Sequence, residues 1–356
     1  MIFEGKRILV TGGTGSMGKT FVRRVLSGVL GTPRKLIVFS RDEGKQHDMR
    51  VSYLSRSKAP TDETIYRNFQ NVLEFRIGDV RSYADVNSAM RDADIVVNAA
   101  ALKQVPTCEF FPDQAILTNC FGPINIVRAI RENSLTIESV VAISTDKACK
   151  PVNVMGMTKA LQERVLVSAN VLNPKTRFIC VRYGNVLASR GSVIPLFYEQ
   201  IAAGGPVTIT DERMTRFLLS LEDAVDTVVE ALRSALPGET YIPMVPGARM
   251  TAVARALIGA RGIPIRVTGV RPGEKFDEIL VSEEEANHTI RRGDYYVIRP
   301  MLPELQNGED KLPRALTKEF SSGDFVLDYQ GTVALLRRHR LLLEDSENRK
   351  PAELLR

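Results

Sequence analysis

Ser144-Thr145-Asp146-Lys147 sets a hydroxyl, a carboxyl and an amine in consecutive positions. Asp146 and Lys147 side by side form a proton donor and a proton acceptor that could serve one substrate, if burial brings their ionisation toward neutrality. A second pair, Met155 and Lys159, follows at i, i+4 spacing and so shares one face of a helix. On spacing alone, Asp146 and Lys147 are equally readable as a surface ion pair in a loop.

A second chemical signal lies near the N-terminus. The apolar run ending at Val10 leads into Thr11-Gly12-Gly13-Thr14-Gly15-Ser16-Met17-Gly18, and Phe21, Val22 and Val25 follow with helical spacing. Gly12, Gly15 and Gly18 then serve a tight turn, backbone approach to a pyrophosphate, and close helix–strand packing. Thr14, Ser16 and Met17 lie in the same turn, where free N–H groups at the helix start face phosphates. This pattern points to a dinucleotide. The second apolar run ends at Ser40-Arg41, where an NAD site would have an acidic residue for the ribose 2′-hydroxyl. Ser40, Arg41 and Lys45 instead suit a 2′-phosphate, so NADP is expected, although Asp42 and Glu43 follow at once. Asp79 and Val80, after the third run, are placed to meet the adenine. Beside an oxidised cofactor in a desolvated cleft, Lys147 is expected to lose its proton more easily.

These residues need a frame in which strand ends converge. Strands are expected at 7–10, 35–39, 73–77, 95–97, 140–143 and 177–181, and helices at 21–30, 115–131 and 155–169. That alternation implies an α/β fold, a Rossmann-type doubly wound parallel sheet covered on both faces. After residue 181, Gly- and Pro-containing loops break the rhythm. The expected division is a cofactor domain at 1–181 with about 218–245, a smaller interleaved substrate lobe at about 182–217 and 246–306, and a C-terminal arm at 307–356 with a helix at 331–343.

Composition excludes several function classes. The 356 residues are 44% hydrophobic and 25% charged, ordinary for a globular protein, with a net charge of +6. No run approaches the roughly 20 apolar residues of a membrane span. The opening residues lack a signal peptide's apolar stretch, so a cytoplasmic protein is expected. Cys108, Cys120, Cys149 and Cys180 and the three histidines show no ligand or disulfide spacing, so no metal is expected. The basic run at 337–340 reads as a solvated helix face, and no nucleic-acid partner is expected.

Taken together, the segments 11–18, 40–46, 98–106, 144–147, 155–159, 182–195, 208–217 and 271–275 resemble the extended short-chain dehydrogenases/reductases, and within them the C5-inverting, capsule-type UDP-N-acetylglucosamine 4,6-dehydratases of polysaccharide biosynthesis. The resemblance covers most of the chain. It implies that Ala99, Ala100 and Lys103 line the cofactor cleft, that Lys159 bonds the nicotinamide ribose, and that Lys103 also nears the substrate. It further implies that Asn185, Arg190, Ser192, Val193, Thr208, Arg216, Arg271 and Glu274 bind a UDP-sugar, with Arg216 and Arg271 on the diphosphate and Glu274 on the ribose. Related proteins form closed homo-oligomers, from dimer to hexamer. One departure stands out: the superfamily's usual Tyr-x-x-x-Lys has Met155 at the tyrosine position, and a thioether transfers no proton. Thr145, Asp146 and Lys147 must then carry the proton work, Lys147 as base at C5 and Asp146 as acid at the C6 hydroxyl. A nucleotide-sugar 4-epimerase, the same dehydration on another nucleotide sugar, and a non-catalytic NADP-binding protein are the alternatives.

Overall fold

In the computed structural model, residues 1–54, 60–187, 192–306 and 313–343 are described. Six strands alternate with helices along the first half: β1 (Arg7–Thr11), β2 (Lys35–Ser40), β3 (Leu73–Ile77), β4 (Ile95–Asn98), β5 (Ser139–Thr145) and β6 (Arg177–Tyr183). Three more, β7 (Thr240–Pro243), β8 (Thr289–Arg292) and β9 (Tyr295–Ile298), complete a nine-stranded sheet in the order β8-β9-β7-β6-β5-β4-β1-β2-β3. From β3 to β7 all neighbours are parallel, and β9 and β8 add an antiparallel edge.

Alternation along each strand explains the two-sided burial. Ile8 and Val10 of β1, Val97 of β4 and Ile179 of β6 face one core, with Phe21, Val25 and Val228. Leu9, Val96 and Cys180 face the other, with Ile126 and Leu166. Neighbouring side chains on a strand point to opposite faces, so apolar runs feed both layers at once. The helices α1 (Ser16–Leu26) and α4 (Leu221–Ser234) cover the first face, and α2 (Gly122–Asn133) and α3 (Val154–Leu172) the second. Strand order reverses between β1 and β4, and a ligand crevice opens at the carboxyl ends there.

Three expectations change. The helix expected at 115–131 is broken into Pro112–Ile116, a π-helical turn Leu117–Phe121, and α2. Pro123 has no N–H to donate to the preceding turn, which favours the wider winding. The first helix begins earlier, at Ser16, and ends at Leu26 ahead of Gly28, whose φ of 77° suits glycine. The hairpin β8–β9, expected in the substrate lobe, instead extends the main sheet. Val326–Leu327 pairs with Gly247–Arg249, and the helix Tyr329–Arg338 buries Leu336 in the same cluster as Phe197, Ile209 and Val253.

Candidate active site

The glycine turn is built as the spacing requires. Gly12 has φ of 65°, and a Cβ on it would stand 2.7 Å from the Ala100 backbone, so the turn presses against Ala99 and Ala100. A Cβ on Gly18 would stand 2.6 Å from Gly13 Cα, the close helix–strand approach. Gly15 is the N-cap of α1 and supplies no side-chain cap. Ser16 and Met17 open that helix, so its first N–H groups point into the crevice. Thr11 Oγ1 donates to Asn98 Oδ1 at 2.8 Å and accepts from the Ala100 N–H at 3.3 Å. Asn98 Nδ2 is buried and has no partner. At the far side Thr14 Oγ1 and Ser40 Oγ lie 3.1 Å apart. Gln46, buried, donates from Nε2 to the carbonyls of Ser40 and Arg76, both at 2.9 Å, and so pins the ends of β2 and β3. Arg41 is half exposed, 3.4 Å from Asp79, and Lys45 pairs with Asp42. Burial pushes the Asp79 carboxyl up, but its bonds from Arg81 hold it below the ordinary range. Val80 turns inward against Gly122, and its carbonyl accepts from Asn125 at 2.9 Å. Lys103 stands exposed on the loop after β4. A positive-φ turn with no room for Cβ, an open helix start and an orphaned amide at Asn98 together fit a dinucleotide.

Asp146 and Lys147 sit in a single 3-10 turn at the end of β5, capped by the Thr145 hydroxyl. This is no surface ion pair: the Asp146 side chain is 1% exposed. Its Oδ1 accepts from Thr145 Oγ1 at 2.8 Å and from Lys147 Nζ at 3.1 Å, while Oδ2 is buried without a partner. A third charged group joins them from the lobe. Glu278 Oε1 lies 3.2 Å from Lys147 Nζ and 3.7 Å from Arg216 Nε, and Glu278 Oε2 also lacks a partner. Burial raises the Asp146 pKa, against the opposing pull of Lys147, so its carboxyl keeps its proton more readily than usual. For Glu278 burial also pushes upward, but Lys147 and Arg216 outweigh it and the group stays ionised. For Lys147, burial favours loss of the proton, yet the two carboxylates outweigh it and the pKa is raised. The Asp146 and Glu278 carboxylates thus oppose loss of the Lys147 proton. Glu278 went unrecognised because its only sequence signal was its place three residues after Lys275, which does not say which way a carboxylate turns.

The helix α3 carries the rest. Asn153 caps it, accepting from the Gly156 N–H at 2.8 Å. A Cβ on Gly156 would stand 2.1 Å from the Lys147 carbonyl oxygen, so the Asp146–Lys147 turn rests directly on this glycine. Met155 lies in a small apolar cluster with Cys108 and Ala115. Lys159 is buried and donates to the Ile143 carbonyl at 2.8 Å and to Gln162 at 3.0 Å. Burial lowers its pKa to about 8. Asn119, in the π turn, is fully buried and ties the loop after β4 to α3. Its Oδ1 accepts from the Leu102 N–H at 2.8 Å, and its Nδ2 donates to the Leu102 carbonyl and to Thr158. The regular helix expected there hid it.

Beyond β6, Asn185 Oδ1 and Ser192 Oγ are buried without partners. Ser192 is the N-cap of the helix Val193–Ala202, with no side-chain cap bond. Arg190 lies outside the described residues. The Thr208 hydroxyl accepts from Gln200 at 2.7 Å. Arg216 is buried, and its fork is occupied by the carbonyls of Thr215 (2.7 Å) and Phe276 (3.0 Å), so it faces Glu278 and not an open diphosphate site. Arg271 is exposed, in a turn closed by its N–H to Glu274 at 3.1 Å. That loop is docked on the segment between β5 and α3: Asn153 Nδ2 bonds the Gly273 carbonyl at 2.9 Å, and Lys275 Nζ the Cys149 carbonyl at 2.6 Å. Arg182 of β6 holds two carboxylates distant in sequence, Glu163 of α3 at 2.6 Å and Glu285 at 2.8 Å.

Residues 8–300 match the family model described as polysaccharide biosynthesis protein. The chain belongs to that family. A UDP-N-acetylglucosamine 4,6-dehydratase (inverting) of Campylobacter jejuni is 41% identical over 312 residues, covering 87% of each chain. A UDP-glucose 4-epimerase of Rickettsia typhi is 42% identical over 334 residues, 90% of this chain and 92% of the other. Among solved structures, Pen from Bacillus thuringiensis superposes with a TM-score of 0.85 at 32% identity, over 96% of this chain and all of that one. A dTDP-glucose 4,6-dehydratase from Streptomyces venezuelae, 20% identical, shares the fold with a TM-score of 0.63 over 76% of this chain and 86% of its own.

Proposed function

We propose that this member of the family is an enzyme, a nucleotide-sugar 4,6-dehydratase that removes water from UDP-N-acetylglucosamine with inversion at C5, using NADP. The observation that carries the reading is the buried Asp146–Lys147–Glu278 group, with an unpartnered carboxylate oxygen on each acid. A 4-epimerase, the activity named for the Rickettsia relatives, needs only oxidation and re-reduction at C4. Epimerisation therefore needs one proton-transferring group at the C4 hydroxyl, whereas dehydration needs a base at C5 and an acid at C6.

Gly12, Gly15, Gly18 and Asn98 would hold the dinucleotide, and Ser40, Arg41 and Lys45 its 2′-phosphate. Bound there, the dinucleotide would supply reversible hydride transfer between C4 and C6 of the sugar. The 4-keto group acidifies the C5 proton. As C4 is oxidised its hydroxyl proton passes by way of Thr145 to solvent; Lys147, its own proton already passed to solvent, takes the one at C5, and Asp146 in its protonated form gives its proton to the departing C6 hydroxyl, which leaves as water, and is reprotonated from solvent. A proton then returns to C5. Met155 supplies no phenol, so Thr145 is the remaining hydroxyl beside the pair, and Lys159 positions the ribose side. The diphosphate falls to the helix start at Ser192 and Val193 and to Arg271, with Asn185, Thr208 and Glu274 nearby and Lys103 at the cleft's edge.

The assembly is a homo-oligomer. Phe111, Leu117, Phe121, Met157 and Leu161 are exposed large apolar side chains on the packed helices around α2 and α3, a surface that a second copy would cover. The four cysteines are free and buried, which suits the reducing cytoplasm. Asp146→Asn and Lys147→Ala each lower turnover by about two orders of magnitude or more with nucleotide binding retained. Near wild-type rates in both variants would contradict the assignment.

A further inference from the structure

We propose that Glu278 is a positioning residue for Lys147, the lobe's counter-charge that holds the Lys147 side chain in register for the proton transfer at C5. The inference rests on the dehydratase reading for its catalytic meaning, and on geometry for the rest. Asp146 belongs to the same turn as Lys147 and cannot by itself fix a four-carbon side chain. Glu278 approaches from another element, so the ammonium is bracketed between oxygens at 3.1 and 3.2 Å.

Glu278 is itself held rigidly. Its N–H donates to Ser322 Oγ at 3.0 Å, and its carbonyl accepts from the Ser322 N–H at 2.8 Å. Ser322 is fully buried, and its hydroxyl lies 2.6 Å from Thr215 Oγ1, which donates in turn to Asp277 Oδ1. Arg216 Nε lies 3.7 Å from the same carboxylate oxygen, Oε1. Such a clamp spends two backbone bonds and a buried hydroxyl pair on placing one carboxylate beside one amine. The charged groups facing Lys147 are then Asp146 from its own turn, and Glu278, Arg216 and Lys275 from the lobe. Asp146 leans toward its neutral form, so Glu278 is the standing negative charge. It lies seven residues after Arg271, in the segment proposed to meet the nucleotide. Nucleotide site and base are thus carried by one short stretch of chain.

The test uses the full chain with Glu278→Gln, which keeps shape and removes charge. Acetic anhydride labelling of Lys147, followed by mass spectrometry across pH, reads the fraction of neutral amine without needing turnover. An opposite charge this close shifts an ionisation by about one to three units. The labelling midpoint of Lys147 therefore moves to lower pH by about one unit or more, and the ascending limb of the kcat–pH profile moves with it while KM stays within a few-fold. An unmoved midpoint in a variant with wild-type melting behaviour overturns the proposal. A moved midpoint in a protein that dehydrates no sugar nucleotide overturns the dehydratase reading and leaves the Glu278–Lys147 pairing standing. Should Glu278→Gln fail to fold, Glu278→Asp withdraws the carboxylate by one methylene, and the same midpoint shifts by a smaller amount or the proposal fails.

Discussion

Replacing Gly156 by alanine sets two physical effects against each other. Gly156 is the third residue of α3, and alanine is a better helix former than glycine by about 0.8–1 kcal/mol, so local propensity alone predicts a more stable protein. Geometry predicts damage. The new methyl would meet the Lys147 carbonyl oxygen at 2.1 Å, where ordinary contact begins at 3.4 Å, a shortfall of about 1.3 Å. The obstructing atom is backbone, which cannot swing aside. Either α3 backs away, dragging Met155 and Lys159, or the turn carrying Asp146 and Lys147 does. A displacement of about 1 Å at reacting groups costs about 10²-fold in rate. Gly156→Ala is therefore expected to lower kcat about 100-fold, with the melting temperature unchanged or lower. The assay is steady-state conversion of UDP-N-acetylglucosamine beside a thermal melt. A variant that melts higher and turns over at the wild-type rate would refute the close packing of α3 on the catalytic turn.

Other consequences follow from the same geometry. Arg182→Met strands Glu163 and Glu285 in the interior and costs about 3–5 kcal/mol in urea unfolding; a loss under about 1 kcal/mol would show that the triad does not hold lobe to sheet. Lys159 has its folded pKa lowered by burial to about 8 from 10.5, so between those values the unfolded chain binds a proton that the folded chain does not. Its contribution to stability thus rises with pH across that window, by up to about 3 kcal/mol, and is lost as pH falls back toward 8. The stability difference between wild type and Lys159→Met should change in that sense between pH 8 and 10.5, and a flat difference would contradict it. Arg41→Ala should weaken NADP binding about tenfold or more while barely altering NAD, measured by calorimetry; equal losses for both would remove the 2′-phosphate assignment.

The first six strands of the sheet were legible because apolar, β-branched runs buried on both faces leave an unmistakable pattern, as in Arg7–Thr11 and Ile95–Asn98. The glycine turn was legible because each glycine answers a separate steric demand. Less visible was what depends on the winding of a helix or on distant contacts. The π turn at Leu117–Phe121 is an accident of Pro123 and packing, and with it went the role of Asn119. The hairpin at 289–298 has ordinary strand composition, and only pairing with β7 tells which sheet it joins. Asp146 and Lys147 were identifiable as residues, but their charge state was not. It depends on Glu278, 131 positions after Lys147 and brought beside it by the fold.

The central claim is tested most directly by incubating the pure protein with UDP-N-acetylglucosamine in heavy water and reading the product by mass spectrometry. The account predicts loss of one water with one deuterium gained at C5. An unchanged mass with the sugar inverted at C4, and no deuterium in the ring, would contradict it and establish an epimerase.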